Sequence, residues 1–294
     1  MARLVLFCFF HLTILAQERI YDYHWESFMA QGEEHFAAQR YENAFYYFEK
    51  AIRWLSAERN LQNPRLAELY YLAGESLRQL KRDYDALPYY EQSLRIKRDQ
   101  PPILLILGNY HYRLKDFSEA ASYLKEYLKL VPHDREISLK YSYALARTER
   151  VGEARLYLKS LSSGEQKNCE NLEDVFEEKK CLEDNLLANP AQAENFLRLI
   201  HFYEEQRNDA LQLELSDMLF YLYGDKKEYA LPLVFTLYRQ GKVKKALEYL
   251  ELLYERFPKD RDILILLADF HEEIMQKDKA LDYRQKASLA EHRK

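Results

Sequence analysis

LGNYHYRLKDFSEAASYL, residues 107–124, sets Gly108 and Ala120 twelve positions apart among tyrosines and leucines, in a chain of 294 residues that has only seven glycines. Two helices can approach closely only where the facing side chains are small. The spacing therefore reads as a helical hairpin in which Gly108 and Ala120 let the backbones meet, while Leu107, Leu124 and Tyr127 fill the space around them. Pro132 follows and ends the second helix.

The same spacing recurs along the chain. Thirty-four positions before Gly108 stands Gly74, with Ala86, Tyr90 and Ser93 in the matching places; thirty-four after it stands Ser142, with Ala154, Leu158 and Leu161. An earlier unit carries Gly32, Tyr41, Ala44, Phe48 and Ala51, set forty-two positions before the next, so WLSAERNLQNPR holds the extra length of the connection. Towards the C-terminus, Ala246, Leu250, Leu253 and Pro258 form a unit, and Ala268, Ala280 and Ala287 form another, with Ala280 one full period after Ala246. Between these blocks AENFLRLIHFYEEQRNDALQLELSDMLFYL reads as a degenerate pair aligned on Ala210. A fixed period of this length marks a repeat array in which hairpins bury by stacking what one hairpin leaves exposed. Gly241 in RQGKV reads as the turn between the helices of its unit.

This pattern resembles the tetratricopeptide repeat, in which a small residue at motif position 8 faces another at position 20. The resemblance implies an all-α fold, a right-handed α-solenoid of six or seven antiparallel helix pairs, with the first helix of each pair lining a concave surface through motif positions 2, 5, 9, 12 and 13. Carried onto this sequence, the implied groove includes Met29, Tyr71, Leu105, Asn109, Tyr112, Leu139, Tyr143, Leu231, Phe235 and Tyr238, joined by Arg78, Arg113, Arg147 and Arg239. Aromatic rings supply rigid contact area and arginine a planar fork for carboxylates, so the expected partner is a protein or extended peptide with apolar and acidic side chains. Family members that clamp chaperone tails use lysine at position 5 and asparagine at position 9. Here position 5 holds Met29, Tyr71, Leu105 and Leu139, and only Asn109 matches at position 9, so that clamp is not expected.

Composition agrees with a helical, well-cored protein. Apolar residues make up 48% and aromatics 14%, with 25 tyrosines and only seven glycines and eight prolines for turns. The 43 basic and 48 acidic residues are well mixed and give a net charge of −5, which leaves no basic face for neutralising phosphates, so nucleic acid is not an expected partner.

At the N-terminus MARLVLFCFFHLTILA combines Arg3 with an apolar run over Leu4–Ala16. The run suits a secretory signal and falls short of the roughly 20 residues that span a bilayer. We read residues 1–16 as a signal peptide; an uncleaved membrane tether is the alternative. Cys8 lies inside the run behind Phe7, unlike a lipid-attachment site. A bacterial periplasmic setting follows by analogy with exported proteins of this repeat type. The domain organisation expected is a four-unit N-terminal block over 17–161, an insertion over 162–190, and a C-terminal block over 191–294.

The insertion holds Cys169 and Cys181. In an oxidising compartment they can bridge, but a continuous helix between them would set them about 18 Å apart, far beyond disulfide reach. Free or conditionally paired thiols are therefore expected, without zinc, since two cysteines lacking a nearby histidine pair make no tetrahedral set.

No nucleotide-binding glycine loop, HExxH, GxSxG or CxxC occurs in the sequence. His35, His111, His201 and His271 follow the small position by three, but successive units are separated by about 10 Å per helix layer, too far to share a metal. They are expected to pack in hairpin cores. Acidic pairs such as Glu33 and Glu34 point in different directions on a helix and read as solvated faces. The expected function is a non-enzymatic binding scaffold or adaptor in the cell envelope, without cofactor or metal. The alternative is a structural subunit assembling through the convex face or the ends of the array.

Overall fold

The structure is a computed structural model that describes residues 25–57, 63–169, 172 and 174–291. The expected signal peptide and part of the WLSAERNLQNPR connection lie outside these residues. Among the described residues there is no strand, and no helix is long and apolar enough to cross a membrane.

The chain divides into two compact units: residues up to Leu114 together with Lys129–Pro132, and Lys115–Leu128 together with the chain from His133 onward. The first holds α1 (25–37), α2 (Tyr41–Ala57), α3 (Pro64–Gln79), α4 (Asp83–Ile96) and α5 (Pro101–Arg113). Within it α3 packs against both α2 and α4, and α5 against α4. Most of α6 (Phe117–Leu130) belongs to the second unit, followed by α7 (Arg135–Arg147), α8 (Val151–Leu161), α9 (Val175–Ala188), α10 (Ala193–Glu205), α11 (Asp209–Tyr223), α12 (Lys227–Arg239), α13 (Val243–Arg256), α14 (Arg261–Glu273) and α15 (Lys277–Glu291). Here α7 pairs with α8, α10 with α11, α12 with α13 and α14 with α15. The helices α6 and α13 end just before Pro132 and Pro258 respectively.

Short polar side chains start several helices by accepting hydrogen bonds from otherwise unpaired backbone N–H groups. Asn63 accepts from Arg65, Asp134 from Ile137, Asn208 from Leu211, and Asp260 from Asp262 and Ile263.

The turns carry the repeat more faithfully than the small residues do. Left-handed backbone (positive φ) occurs at Gln39, Lys81, Lys115, Glu149, Arg207, Gly241 and Met275, with φ between 53° and 71°. From Lys81 to Glu149 and again from Arg207 to Met275 these residues recur once per period. At Gln39, Lys81, Glu149, Arg207, Gly241 and Met275, the residue's own amide and the next one both close back onto the preceding helix. At Lys81, for instance, its own N–H donates to the carbonyl of Arg78 and the N–H of Arg82 to that of Leu77. This pair of bonds satisfies carbonyls that a helix end leaves open. Only one of the seven residues is glycine, the residue best suited to that backbone.

Seven positions before each left-handed turn lies motif position 8: Gly32, Gly74, Gly108, Ser142, Ile200, Val234 and Ala268. The alignment of the degenerate unit on Ala210 is thereby corrected by two positions. Ala210 is exposed, and the crossing position one period before Ala246 is the buried Gln212. Two glycines at these crossings also lie against aromatic rings. A Cβ on Gly74 would lie 2.8 Å from Cε1 of Tyr90, and one on Gly32 would lie 2.5 Å from Cε1 of Phe48. Each glycine thus makes room for an aromatic ring sixteen positions on, while Ala44 and Ala86 are fully buried beside it.

The cysteines depart from expectation. Cys169 and Cys181 form a disulfide with Cα atoms 5.7 Å apart, because α9 begins only at Val175 and residues 162–169 run back along it as irregular chain. Three buried asparagines pin that chain. Lys167 N–H donates to Asn185 and Asn185 donates back to the Lys167 carbonyl, both at 2.8 Å. Gly164 N–H donates to Asn189 at 2.9 Å, and Asn195 donates to the carbonyls of Asn185 and Asn189.

Candidate functional site

The residues expected to line a groove fall into three groups, and only two are accessible. In the first unit, Arg78, Asn109 and Arg113 surround a hollow of about 330 Å³ shared by α3, α4 and α5, with Lys81, Asp83 and Leu87. Two of its arginines are already engaged. Glu75 takes Arg78 in a two-point contact at 3.0 and 2.6 Å and also accepts the Tyr90 hydroxyl at 2.7 Å. Arg113 lies 3.5 Å from Asp83. Tyr71 tilts against Tyr90, and burial raises its phenol above the ordinary range. Leu105 and Tyr112 are half-buried on α5, and Met29 is buried among the residues of α1 and α2.

The second group is closed, and here the expectation is corrected. Leu139 and Tyr143 on α7 are buried, because α11 packs across α7. The Tyr143 hydroxyl donates to Asp217 of α11, and burial followed by that carboxylate pushes its phenol far upward. Arg147 is sandwiched between the rings of Phe117 and Tyr221, 4.4 and 4.2 Å from their centres, and pairs with Asp217 at 3.2 Å. Residues that would grip a ligand on an open face are spent holding two helices together.

The third group is open. Phe235, Tyr238 and Arg239 on α12 face Leu197, His201 and Glu204 on α10 across a hollow of about 440 Å³, floored by Ile200, Pro232 and Thr236. Phe235 remains 40% and Tyr238 38% exposed, a high value for aromatic rings. Tyr238 stacks on Phe270 of α14 with centroids 4.9 Å apart, and a hydrogen bond to Glu273 raises its phenol above the ordinary range. Arg239 pairs with Glu204, and His201 lies 3.3 Å from Glu205. Leu231, the remaining residue expected on this face, is partly buried in the α12 to α14 core.

Leu197 and Glu204 escaped the sequence reading, and His201, expected in a hairpin core, is instead exposed at the hollow, because the alignment on Ala210 set the degenerate unit two positions out of register. In the corrected register His201 stands one period before Phe235, at motif position 9, which explains its exposure. The signal was present, since one period back from Gly241 falls Arg207. The other histidines divide. His35 and His271 stack nearly parallel on Tyr47 and Tyr283, twelve positions on, with centroids 5.2 and 5.4 Å apart, as core packing requires; His111 lies edge-on to Tyr110.

Paired helices closed by one recurrent turn, with open aromatic hollows on first-helix faces, define a helical-repeat protein of the binding type. Models described as tetratricopeptide repeat match residues 29–99, 106–166 and 228–270, together more than half of the chain. The protein belongs to the tetratricopeptide repeat family. No curated protein is similar in sequence at a significant level. Among solved structures it is similar to YrrB, described as a tetratricopeptide repeat protein with an unusual peptide-binding site, at 18% identity over 69% of this chain and 88% of that one, TM-score 0.40. A tetratricopeptide repeat protein from Parabacteroides merdae matches at 13% identity over 91% and 93%, TM-score 0.42. MamA from Desulfovibrio magneticus matches at 14% identity over 66% and 96%, TM-score 0.34.

Proposed function

We propose that this protein is a non-enzymatic scaffold that binds a protein or extended peptide on the first-helix faces of its repeats, and that it works in the cell envelope after export. The observation that carries the reading is the α10–α12 hollow: two partly exposed aromatic rings, an apolar floor and polar groups at the edge, the composition of an energetic centre in a protein interface. In the first unit the hollow offers Lys81 and Asn109 beside the Arg113–Asp83 pair, and Lys81 is the group there to receive an acidic side chain. Export is supported by the apolar run Leu4–Ala16 and by the Cys169–Cys181 bridge, since such bridges persist in oxidising compartments.

Affinity capture from an envelope extract tests the scaffold reading. The partner retained by the unaltered chain should be lost from Tyr112→Ala/Arg113→Ala or from Phe235→Ala/Tyr238→Ala. Capture unchanged in both double variants would sink groove binding and favour assembly through other surfaces. N-terminal sequencing of the exported product should begin close after Ala16; a start at Met1 would undercut the localisation.

A further inference from the structure

The α10–α12 hollow sits in an electrostatic setting opposite to the one its arginine suggests. At motif positions 2, 5, 9, 12 and 13 of α10, α12 and α14, eight carboxylates accompany one cation, Arg239. The arrangement is periodic: Glu194, Glu228 and Asp262 occupy the same place in successive units, and Asp269, Glu272 and Glu273 take the places of Phe235, Tyr238 and Arg239 one period on. Part of this charge is answered internally. Arg239 pairs with Glu204, Arg284 reaches from α15 to Asp269 and Glu272, and Lys227 pairs with Asp262. Glu273 faces the neutral hydroxyl of Tyr238, Glu205 faces an imidazole, and both carboxylates are exposed.

We propose that this face binds an extended cationic peptide segment, with an apolar side chain seated in the hollow against Phe235 and Leu197 and a neighbouring lysine or arginine directed at Glu273 or Glu205. The inference rests on the groove reading and deepens it. Because Arg239 is already neutralised by Glu204, an acidic ligand would have to displace that pair and then face the remaining carboxylates. A basic ligand leaves the Arg239–Glu204 pair in place and gains the attraction of carboxylates that face only neutral partners, which in a partly screened setting shows most clearly in rate and salt dependence.

Fluorescence anisotropy on the whole chain decides the matter, using two labelled nine-residue probes of alternating leucine with lysine or with glutamate. The lysine probe should bind about tenfold more tightly or better at low salt, and weaken as salt is raised. Phe235→Ala should weaken it about tenfold, and Glu205→Lys/Glu273→Lys by a similar factor with the helical circular dichroism unchanged. Equal or tighter binding of the glutamate probe, lost in Phe235→Ala, would overturn the cationic assignment and leave the groove reading standing. Binding of the lysine probe that neither variant alters would overturn it too, as would failure of both probes; the groove reading is then judged by the capture experiment alone.

Discussion

Replacing Gly74 with alanine adds one methyl group, and in most helix interiors that change stabilises by about 1 kcal/mol through helix propensity. At Gly74 the sign should reverse. The new Cβ would stand 2.8, 3.0 and 3.1 Å from three ring carbons of Tyr90, inside ordinary contact distance. The ring cannot swing clear cheaply: Tyr90 is fully buried, and its hydroxyl is held by Glu75, which Arg78 grips at two points. Overpacking of this kind costs about 1–3 kcal/mol, which outweighs the propensity gain and leaves a net loss of about 1 kcal/mol. Gly152, in the first turn of α8, is the internal control. A Cβ there meets nothing within 4 Å, so Gly152→Ala should stabilise by about 0.5 kcal/mol. Urea denaturation followed by far-ultraviolet circular dichroism reads both. A third variant isolates the cause: in a Tyr90→Leu background the cost of Gly74→Ala should shrink, giving a coupling of at least about 0.5 kcal/mol. If Gly74→Ala stabilises as much as Gly152→Ala, the close approach of glycine to ring does not constrain this fold.

Three further outcomes are expected. At the left-handed turns, Glu149→Gly should stabilise by up to about 1 kcal/mol and Gly241→Val destabilise by about 1–2 kcal/mol, since β-branched residues fit that backbone worst; thermal melts of both variants check the pair. The Nε2 of Gln212 is buried without a hydrogen-bond partner, so Gln212→Met, which keeps the volume and removes the orphan donor, should stabilise by about 1 kcal/mol by the same measurement. Cys181→Ser should cost about 2–3 kcal/mol, and hydrogen exchange should show faster amide exchange over residues 162–169; unchanged exchange there would mean that the three asparagines hold that segment alone.

Much of the fold is a local property and was legible as such. The repeat period lies in side chains that each hairpin needs for its own crossing, so Gly74, Ser142, Ala246 and Ala268 reveal it one unit at a time, and the positions of the proline stops follow. The degenerate unit blurred because neither of its markers is small: Ile200 and Gln212 fill both crossing positions, whereas every other unit keeps an alanine at the second, even where Val234 takes the first, and the left-handed turn at Arg207, like most of the others, carries no glycine to announce it. Backbone φ shows that register directly, and with it the membership of His201 in the open face.

Accessibility, by contrast, is a tertiary quantity. Tyr143 and Arg147 fit the groove pattern as well as Phe235, Tyr238 and Arg239 do, and motif position alone treats them alike. What separates them is that α11 lies across α7 and supplies Asp217 and Tyr221 to consume Tyr143 and Arg147, whereas the corresponding face of α12 is left open beside α10. The disulfide follows the same logic: whether the chain between the cysteines spans about 18 Å as helix or folds back to 5.7 Å between Cα atoms depends on where α9 begins. Asp174 caps that start by accepting from Phe176, and the run before it is held alongside the helix by Asn185 of α9, Asn189 just after it and Asn195 of α10. Short-range pattern thus determines the hairpins, because their contacts lie within one period. Long-range packing decides which of their faces a ligand can reach.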